Sequence, residues 1–289
     1  AVLNFGGQSA ATGIVTSVAM DVNDLVVGKV LGFAPVAMLS RAQGLMNIFH
    51  KDLMGAVRNV ALPAFAQAHR QGLRLSPICA KAASLTTLFG WPFYILISLF
   101  SLETLRFLFG PQWDAATTLV PFLCLAGALS AMTSLIPSAV VAAGRIDLVT
   151  RAELVLQPLK VAIILFAVIW LRDIRAAAIA YALAGAIATP AFFLISERAI
   201  PGSSRAIISA CMLSLKVTLP AAVPSLLLAY VYGFDRTTPI ALWIVAAAVL
   251  STGLAIVALA EIFRHPITAE QIYQRTRSRI LQAKTNPIS

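Results

Sequence analysis

The residues able to do chemistry sit where apolar residues would be expected. The run ATGIVTSVAM, residues 11–20, is followed at once by Asp21, Asn23, Asp24 and Lys29. After a short Leu31-Gly32-Phe33 break, a second segment carries Ser40, Gln43, Asn47, Lys51 and Arg58. Their spacings of three, four, four and seven place them on one face of a helix. A charge at the centre of a bilayer costs on the order of 3 kcal/mol even on the mildest insertion scale. Such a face lines a water-filled cavity or pairs internally, so the chemistry it suggests is the passage of a polar or charged solute.

Two of these charges allow a geometric expectation. Asp24 lies before Gly32 by about as many residues as Arg41 lies after it. In an antiparallel hairpin turning at Gly32 the two sit at similar depth, so Asp24, or Asp21 one turn deeper, is expected to pair with Arg41. The pair is either a static fastener of the hairpin or a charged site in a transport pathway. Lys51 and Arg58 either attract an anionic headgroup or serve as a solvated helix end. Lys160 shares a helical face with Gln157 and Glu153 and is a further cavity candidate.

The elements that must position these residues follow from composition. The 289 residues are 59% hydrophobic and only 12% charged, and the mean hydropathy is +0.86. A soluble domain is about a quarter charged. Apolar runs of about 20 residues specify membrane helices rather than barrel strands. The fold class expected is therefore all-α, a polytopic transmembrane bundle of about eight membrane-spanning helices. They run roughly 4–30, 34–66, 78–100, 115–143, 148–171, 174–195, 207–232 and 239–263. At 1.5 Å per residue the second is about 50 Å long, more than a bilayer core. Pro121 and Pro137 are expected to bend the fourth, and Pro220 and Pro224 to break the seventh. Ser101 to Gly110 reads as a short amphipathic stretch, and Trp113 suits a membrane interface.

The formal charge of +10 would suggest nucleic acid in a soluble protein, but here basic loops beside anionic headgroups explain it. Basic residues cluster after the even-numbered segments: Arg70, Arg74 and Lys81; Arg145 and Arg151; Arg198 and Arg205; and the tail from Arg264 to Lys284. They are sparse after the odd ones, where Lys29, Arg106, Arg172, Arg175 and Arg236 stand. The positive-inside rule then puts both ends of the chain in the cytoplasm. Cys79, Cys124 and Cys211 lie in apolar segments without close spacing and read as buried small hydrophobes. His50, His69 and His265 are scattered, which gives a zinc triad no support. The chain has no GxxxxGK[ST] phosphate loop, no interfacial carboxylate pair and no long loop for a catalytic cluster. The expectation is that it is not an enzyme and holds no cofactor or metal, with a coupling H+ or Na+ at Asp21 and Asp24 left open.

Three stretches carry a family resemblance. They are Asn23-Asp24-Leu25-Val26-Val27-Gly28-Lys29-Val30-Leu31-Gly32, then Leu39-Ser40-Arg41-Ala42, then Ala61-Leu62-Pro63-Ala64-Phe65-Ala66. In order and spacing they resemble the second half of polysaccharide transporters, the lipid-linked oligosaccharide flippases of the multidrug/oligosaccharidyl-lipid/polysaccharide exporter superfamily. Leu108-Phe109-Gly110-Pro111-Gln112-Trp113 looks like that family's Phe-Gly-x-x-Trp turn, and Ala143-Gly144-Arg145 matches a further turn. The resemblance covers residues 2–195, and the last two helices only in character. Leu25 departs from the family, which often has a basic residue there.

The resemblance implies the C-terminal half of a two-lobe transporter, and it accounts for a chain that starts without Met. Residues 1–199 would form a six-helix lobe, 200–264 two additional helices, and 265–289 a basic cytoplasmic tail. It also implies a bacterial inner-membrane protein that moves a lipid-linked polysaccharide or O-antigen repeat unit, of the kind used in lipopolysaccharide, from the cytoplasmic to the periplasmic leaflet. The residues expected to line the substrate or cation pathway are Asp21, Asn23, Asp24, Arg41, Asn47, Lys51, Arg58 and Lys160. The partners implied are the lipid-linked substrate, membrane lipids, the missing N-terminal lobe and the polymerase machinery, with no nucleic acid. The alternatives are a cation-coupled small-molecule or multidrug antiporter of the same superfamily and a membrane enzyme of polysaccharide assembly.

Overall fold

A computed structural model describes residues 25–234, 236–263 and 265. The described residues form an all-α bundle without strands. A short helix, α1 (residues 25–31), ends at Gly32, whose φ of +89° turns the chain at the expected break. Then follow α2 (Phe33–Asn47), a π-helical turn (Ile48–Leu53) and α3 (Met54–Arg70), which together make one uninterrupted rod. Next come α4 (Leu75–Leu99), the short α5 (Ser101–Phe109) and a 3-10 turn (Pro111–Thr118). The rest of the bundle is α6 (Val120–Thr133), α7 (Ile136–Ala142), α8 (Ile146–Leu171), α9 (Ile174–Ala199), α10 (Ser203–Ala221), α11 (Val223–Tyr232) and α12 (Leu242–Ile262).

Five of these stretches are long and apolar enough to cross a membrane: α4, the α6–α7 pair, α8, α9 and α12. The α10–α11 pair makes a sixth if its 46° bend lies within one span. Length and composition therefore support a polytopic bundle without reaching the count of eight. Breaks fall near Pro137 and Pro224 as expected, but Pro121 begins a helix instead of bending one, and Pro220 stands inside α10, one residue before its end. Pro121 and Pro137 stand in the first turns of α6 and α7, and Pro224 in the first turn of α11, where the missing N–H costs nothing.

α4 runs antiparallel to α6 and parallel to α10, as the pairs Thr86–Ala131 and Trp91–Ala128 on one side and Ser76–Gly202 and Ser84–Ser214 on the other show. α4 is central and lies between α10 and α6; α6 lies on α9, α9 on α8, and α12 on α10 and α11. Small residues permit this closeness. α9 buries Ala176, Ala177, Ala178, Ala180, Ala182 and Ala184, and a Cβ at its Gly185 would sit 3.6 Å from the Ala126 backbone of α6. Polar groups inside the bundle bond to carbonyls: Trp91 Nε1 donates to Ala128 O (3.0 Å), and Thr86 Oγ1 to Ala131 O (3.1 Å). Both tie α4 to α6. The outward faces of α8 (Phe166, Trp170, Leu171) and α12 (Leu250, Leu254, Val257) are exposed and apolar, as lipid-facing surfaces require.

Polar contacts fasten the two ends of the bundle. At one end Ser76 Oγ donates to Gly202 O (3.0 Å), and His265 Nε2 lies 2.6 Å from Ser84 Oγ and 3.3 Å from Ser214 Oγ. At the other end Glu103 of α5 receives Arg236 Nε (2.9 Å), Arg236 Nη2 (2.8 Å) and the backbone N–H of Ile240 (2.8 Å). Arg106 Nη2 also reaches Thr237 O (3.0 Å). The α10–α12 unit is thus held to α4 and α5 at both ends.

Candidate functional site

The site is built on the α2–π–α3 rod. Its buried side chains are Leu39, Ala42, Leu45, Phe49, Met54, Phe65 and Ala68. An α-helix keeps a stripe in phase with steps of three and four. The step from Phe49 to Met54 is five, and it spans the π turn. One extra residue is absorbed there by i→i+5 bonding, so the stripe continues on the same side.

This corrects the single polar face expected from sequence. Ser40, Gln43 and Asn47 keep their helical relation within α2. Arg58 lies beyond the π turn and is rotated by about 100°, the angle of one helical residue. The reason is physical: the apolar stripe holds its phase against α4 and α6, so the displacement falls on residues placed by a strict 3.6 period. Ser40, Arg41 and Lys51 are exposed, and Gln43, Asn47 and Arg58 are partly buried.

Phe49 anchors the turn. Its ring lies 5.5 Å from Phe93 and 5.6 Å from Tyr94, and the last two rings are 5.4 Å apart, edge to face. Glycines make room for this knot. A Cβ at Gly90 would come within 2.9 Å of the Phe49 ring, and one at Gly127 within 2.5 Å of Tyr94.

Arg41 lies at the α1–α2 end of the rod. Its Cζ stands 5.0 Å from the Phe109 ring centroid and 5.1 Å from that of Trp113. Both rings belong to the turn singled out by the resemblance. Gly110 (φ +93°) and Pro111 reverse the chain between them. Arg106 and Asp114 bridge the turn, with Nε to Oδ1 at 2.8 Å. The contact is cation–π, which holds a guanidinium without cancelling its charge. Asp21, Asn23 and Asp24, and with them the expected Asp24–Arg41 pair, lie outside the described residues.

Further along the rod, Arg58 Nη2 donates to His50 O at 3.3 Å. Lys160 of α8 places Nζ 5.1 Å from the Tyr181 ring centroid. Gln157 Nε2 donates to Glu153 at 2.8 Å, one turn along the same helix, as their spacing suggested. The structure thus ties an α3 residue, Arg58, back onto the π turn. Lys51 is exposed on that same turn. Sequence reasoning set His50 aside as one of three scattered histidines. It also missed the aromatic partners of Arg41 and the Glu103–Arg236 pair. The signal for the last was a single acid in an apolar stretch, but its partner lies 133 residues away. Among the described residues no group of three or more His, Cys, Asp or Glu side chains could hold a metal ion.

Residues 1–118, which carry the rod, Phe109 and Trp113, match a family model described as polysaccharide biosynthesis protein. The chain is also 28% identical over 133 residues to the amylovoran biosynthesis protein AmsL of Erwinia amylovora. That alignment covers 46% of this chain and 34% of the relative, so the chain matches about a third of the relative's length. No solved structure gives a significant match. The described helices are those of a membrane protein, and the two matches, in which the chain is similar to proteins of polysaccharide biosynthesis, support the polysaccharide transporter-type family that its sequence resembles.

Proposed function

We propose that the chain is the C-terminal part of a flippase that carries a lipid-linked oligosaccharide, a polysaccharide or O-antigen repeat unit, from the cytoplasmic to the periplasmic leaflet of the bacterial inner membrane by alternating access. The observation that carries the reading is the state of the cations on and beside the rod. Arg41 rests on two aromatic rings, Arg58 on a backbone carbonyl and Lys160 on a phenol ring. Groups of this kind hold a cation in place and leave its charge available to an anionic ligand. A lipid-linked sugar carries its anionic phosphate between a polar glycan and an apolar tail. The rod offers polar side chains for the first two, and the bilayer takes the tail.

In this reading both ends of the chain are cytoplasmic, and Asp21, Asn23, Asp24 and Asn47 complete the pathway. The chain is a transporter and not an enzyme; any coupling ion is H+ or Na+. It works with an N-terminal lobe of the same transporter and delivers its product to polysaccharide polymerase.

The test is deletion of the full-length gene in its host, with complementation by wild type or Arg41→Gln, followed by leaflet-resolved assay of the lipid-linked intermediate. Intermediate stranded in the cytoplasmic leaflet, with loss of surface polymer, is the expected result. Intermediate accumulating in the periplasmic leaflet would replace the flippase by a downstream enzyme. Normal polymer with altered resistance to cationic drugs would favour the antiporter.

A further inference from the structure

An arginine that lies across two aromatic rings is aimed by whatever holds the rings. Arg41 is exposed, and its Cζ stands 5.0 Å from the Phe109 centroid and 5.1 Å from that of Trp113. The two rings come from opposite sides of the Gly110-Pro111 reversal, so the turn sets their spacing. Phe109 also faces Gly44, which shares a face of α2 with Arg41; a Cβ there would stand 3.9 Å from the ring. The rod and the turn therefore meet at two positions on one helical face.

The turn is tied in three ways. Within itself, Gln112 Nε2 donates to Phe109 O (2.8 Å) and Thr117 Oγ1 to Asp114 O (2.6 Å). Across its base, Arg106 Nε donates to Asp114 Oδ1 (2.8 Å) and Arg106 Nη2 to Asp114 Oδ2. A two-point pairing of this kind fixes direction as well as distance. Towards the rest of the bundle, the same Nη2 donates to Thr237 O (3.0 Å), between α11 and α12. Arg106 precedes Phe109 by one helical turn and Asp114 follows Trp113 directly, so the bridge closes on the rings from both sides. The pairing also decides where charge is left over. The acids of α5 and the turn are Glu103 and Asp114; Arg236 engages the first and Arg106 the second. Arg41 is left on its two rings with no carboxylate partner among the described residues.

We propose that Arg106 and Asp114 are positioning residues: their bridge sets the Phe109 and Trp113 rings, and the rings aim the Arg41 guanidinium at the anionic group of the substrate. The inference rests on the reading of Arg41 as a ligand contact in the transport pathway, and adds what orients it. The ligand chemistry is a phosphate, either on a lipid or free in solution. A half-exposed bridge can hold the turn with no more than its own strength, so its loss weakens binding by up to about fivefold. Loss of the charge-assisted hydrogen bonds of Arg41 itself weakens binding by about tenfold or more.

The test uses the whole chain in phosphatidylcholine nanodiscs, with binding followed by calorimetry. Dodecyl phosphate probes a lipid-borne phosphate and inorganic phosphate a free one; the probe that binds identifies the source. Arg106→Gln and Asp114→Asn remove opposite charges. If the bridge acted on the anion through its charges alone, the first would weaken binding and the second would tighten it. Positioning predicts that both weaken it, that the two together are no worse than either, and that the reversed pair Arg106→Asp/Asp114→Arg recovers part of the loss. Unfolding midpoints should barely move in these variants. In wild type, the bound probe should change the tryptophan emission, and Trp113→Phe should abolish that change; this signal decides the matter even if the bridge variants fail to fold. Tighter binding in Asp114→Asn, unchanged affinity in both single variants, an emission that does not change or a change that survives Trp113→Phe, or no binding of either probe would each overturn the proposal. Binding that is lost in Arg41→Gln but untouched in the bridge variants would remove the positioning role alone and leave the transport reading standing, whereas loss of that reading shows in the leaflet assay.

Discussion

Removing one partner of the Glu103–Arg236 pair should loosen the α11–α12 end of the bundle more than any other single polar substitution among the described residues. The side chains are 1% and 6% exposed. The Glu103 carboxylate accepts three hydrogen bonds, two from Arg236 and one from Ile240 N. Arg236 also donates to Leu99 O (2.8 Å) and Gly233 O (3.0 Å). Glu103→Ala leaves the guanidinium buried with carbonyls alone and strands the Ile240 N–H. An uncompensated partner of a buried pair costs about 3–5 kcal/mol. The double variant Glu103→Leu/Arg236→Met removes both charges and should recover most of that loss. The sign with pH follows from the carboxyl itself. Burial pushes its pKa up, but the Arg236 and Ile240 hydrogen bonds outweigh this and leave it below the ordinary value. The pair's contribution is therefore complete above the unfolded carboxyl value of about 4.3 and is lost as pH falls through the lower folded value. The assay is SDS-driven unfolding in mixed micelles at pH 7, with labelling of a cysteine placed at Thr237 to report local opening. A Glu103→Ala loss below about 1 kcal/mol, or a double variant no better than the single, would refute the reasoning.

Gly127→Ala forces a methyl to within 2.5 Å of the buried Tyr94 ring and should cost about 1–3 kcal/mol by the same unfolding assay. Arg41→Gln removes cation–π contacts worth about 0.5–1 kcal/mol each at an exposed site, so the unfolding midpoint should barely move, and a complete loss of transport in this variant would mark a ligand contact. Burial lowers the pKa of His265 beneath its ordinary value of about 6.5, so its contribution is complete above that value and weakens as pH falls through it; His265→Gln should flatten the pH 7 to 5 stability profile. Deleting the exposed Asp52 should convert the π turn to α-helix and keep Met54, Phe65 and Ala68 buried, whereas deleting the exposed Asn59 should turn Phe65 and Ala68 out of the core and lower stability sharply, as circular dichroism and unfolding midpoints would show.

What was legible in the sequence is what hydropathy and single-residue stops encode. The bundle class, the turn at Gly32, the breaks near Pro137 and Pro224 and the Glu153–Gln157 relation each follow from a period or a backbone preference acting within a few residues. Arg41 was legible as a residue that needs a partner, and the Phe-Gly-x-x-Trp turn as a motif. That the first rests on the second was not, because no local spacing links residues some seventy positions apart. The π turn escaped for a different reason. A strict 3.6 period read through residues 40–58 gives a satisfying polar face, and the five-residue step becomes visible only in the apolar stripe from Phe49 to Met54. The apolar stripe is the better witness of helical phase, since a mis-phased Phe49 would lose its place against Gly90, while a mis-phased lysine merely finds water. In a membrane rod the polar residues therefore have to be located from the apolar ones. That order of inference moves Arg58 about 100° from its expected bearing and lays it against the backbone carbonyl of His50.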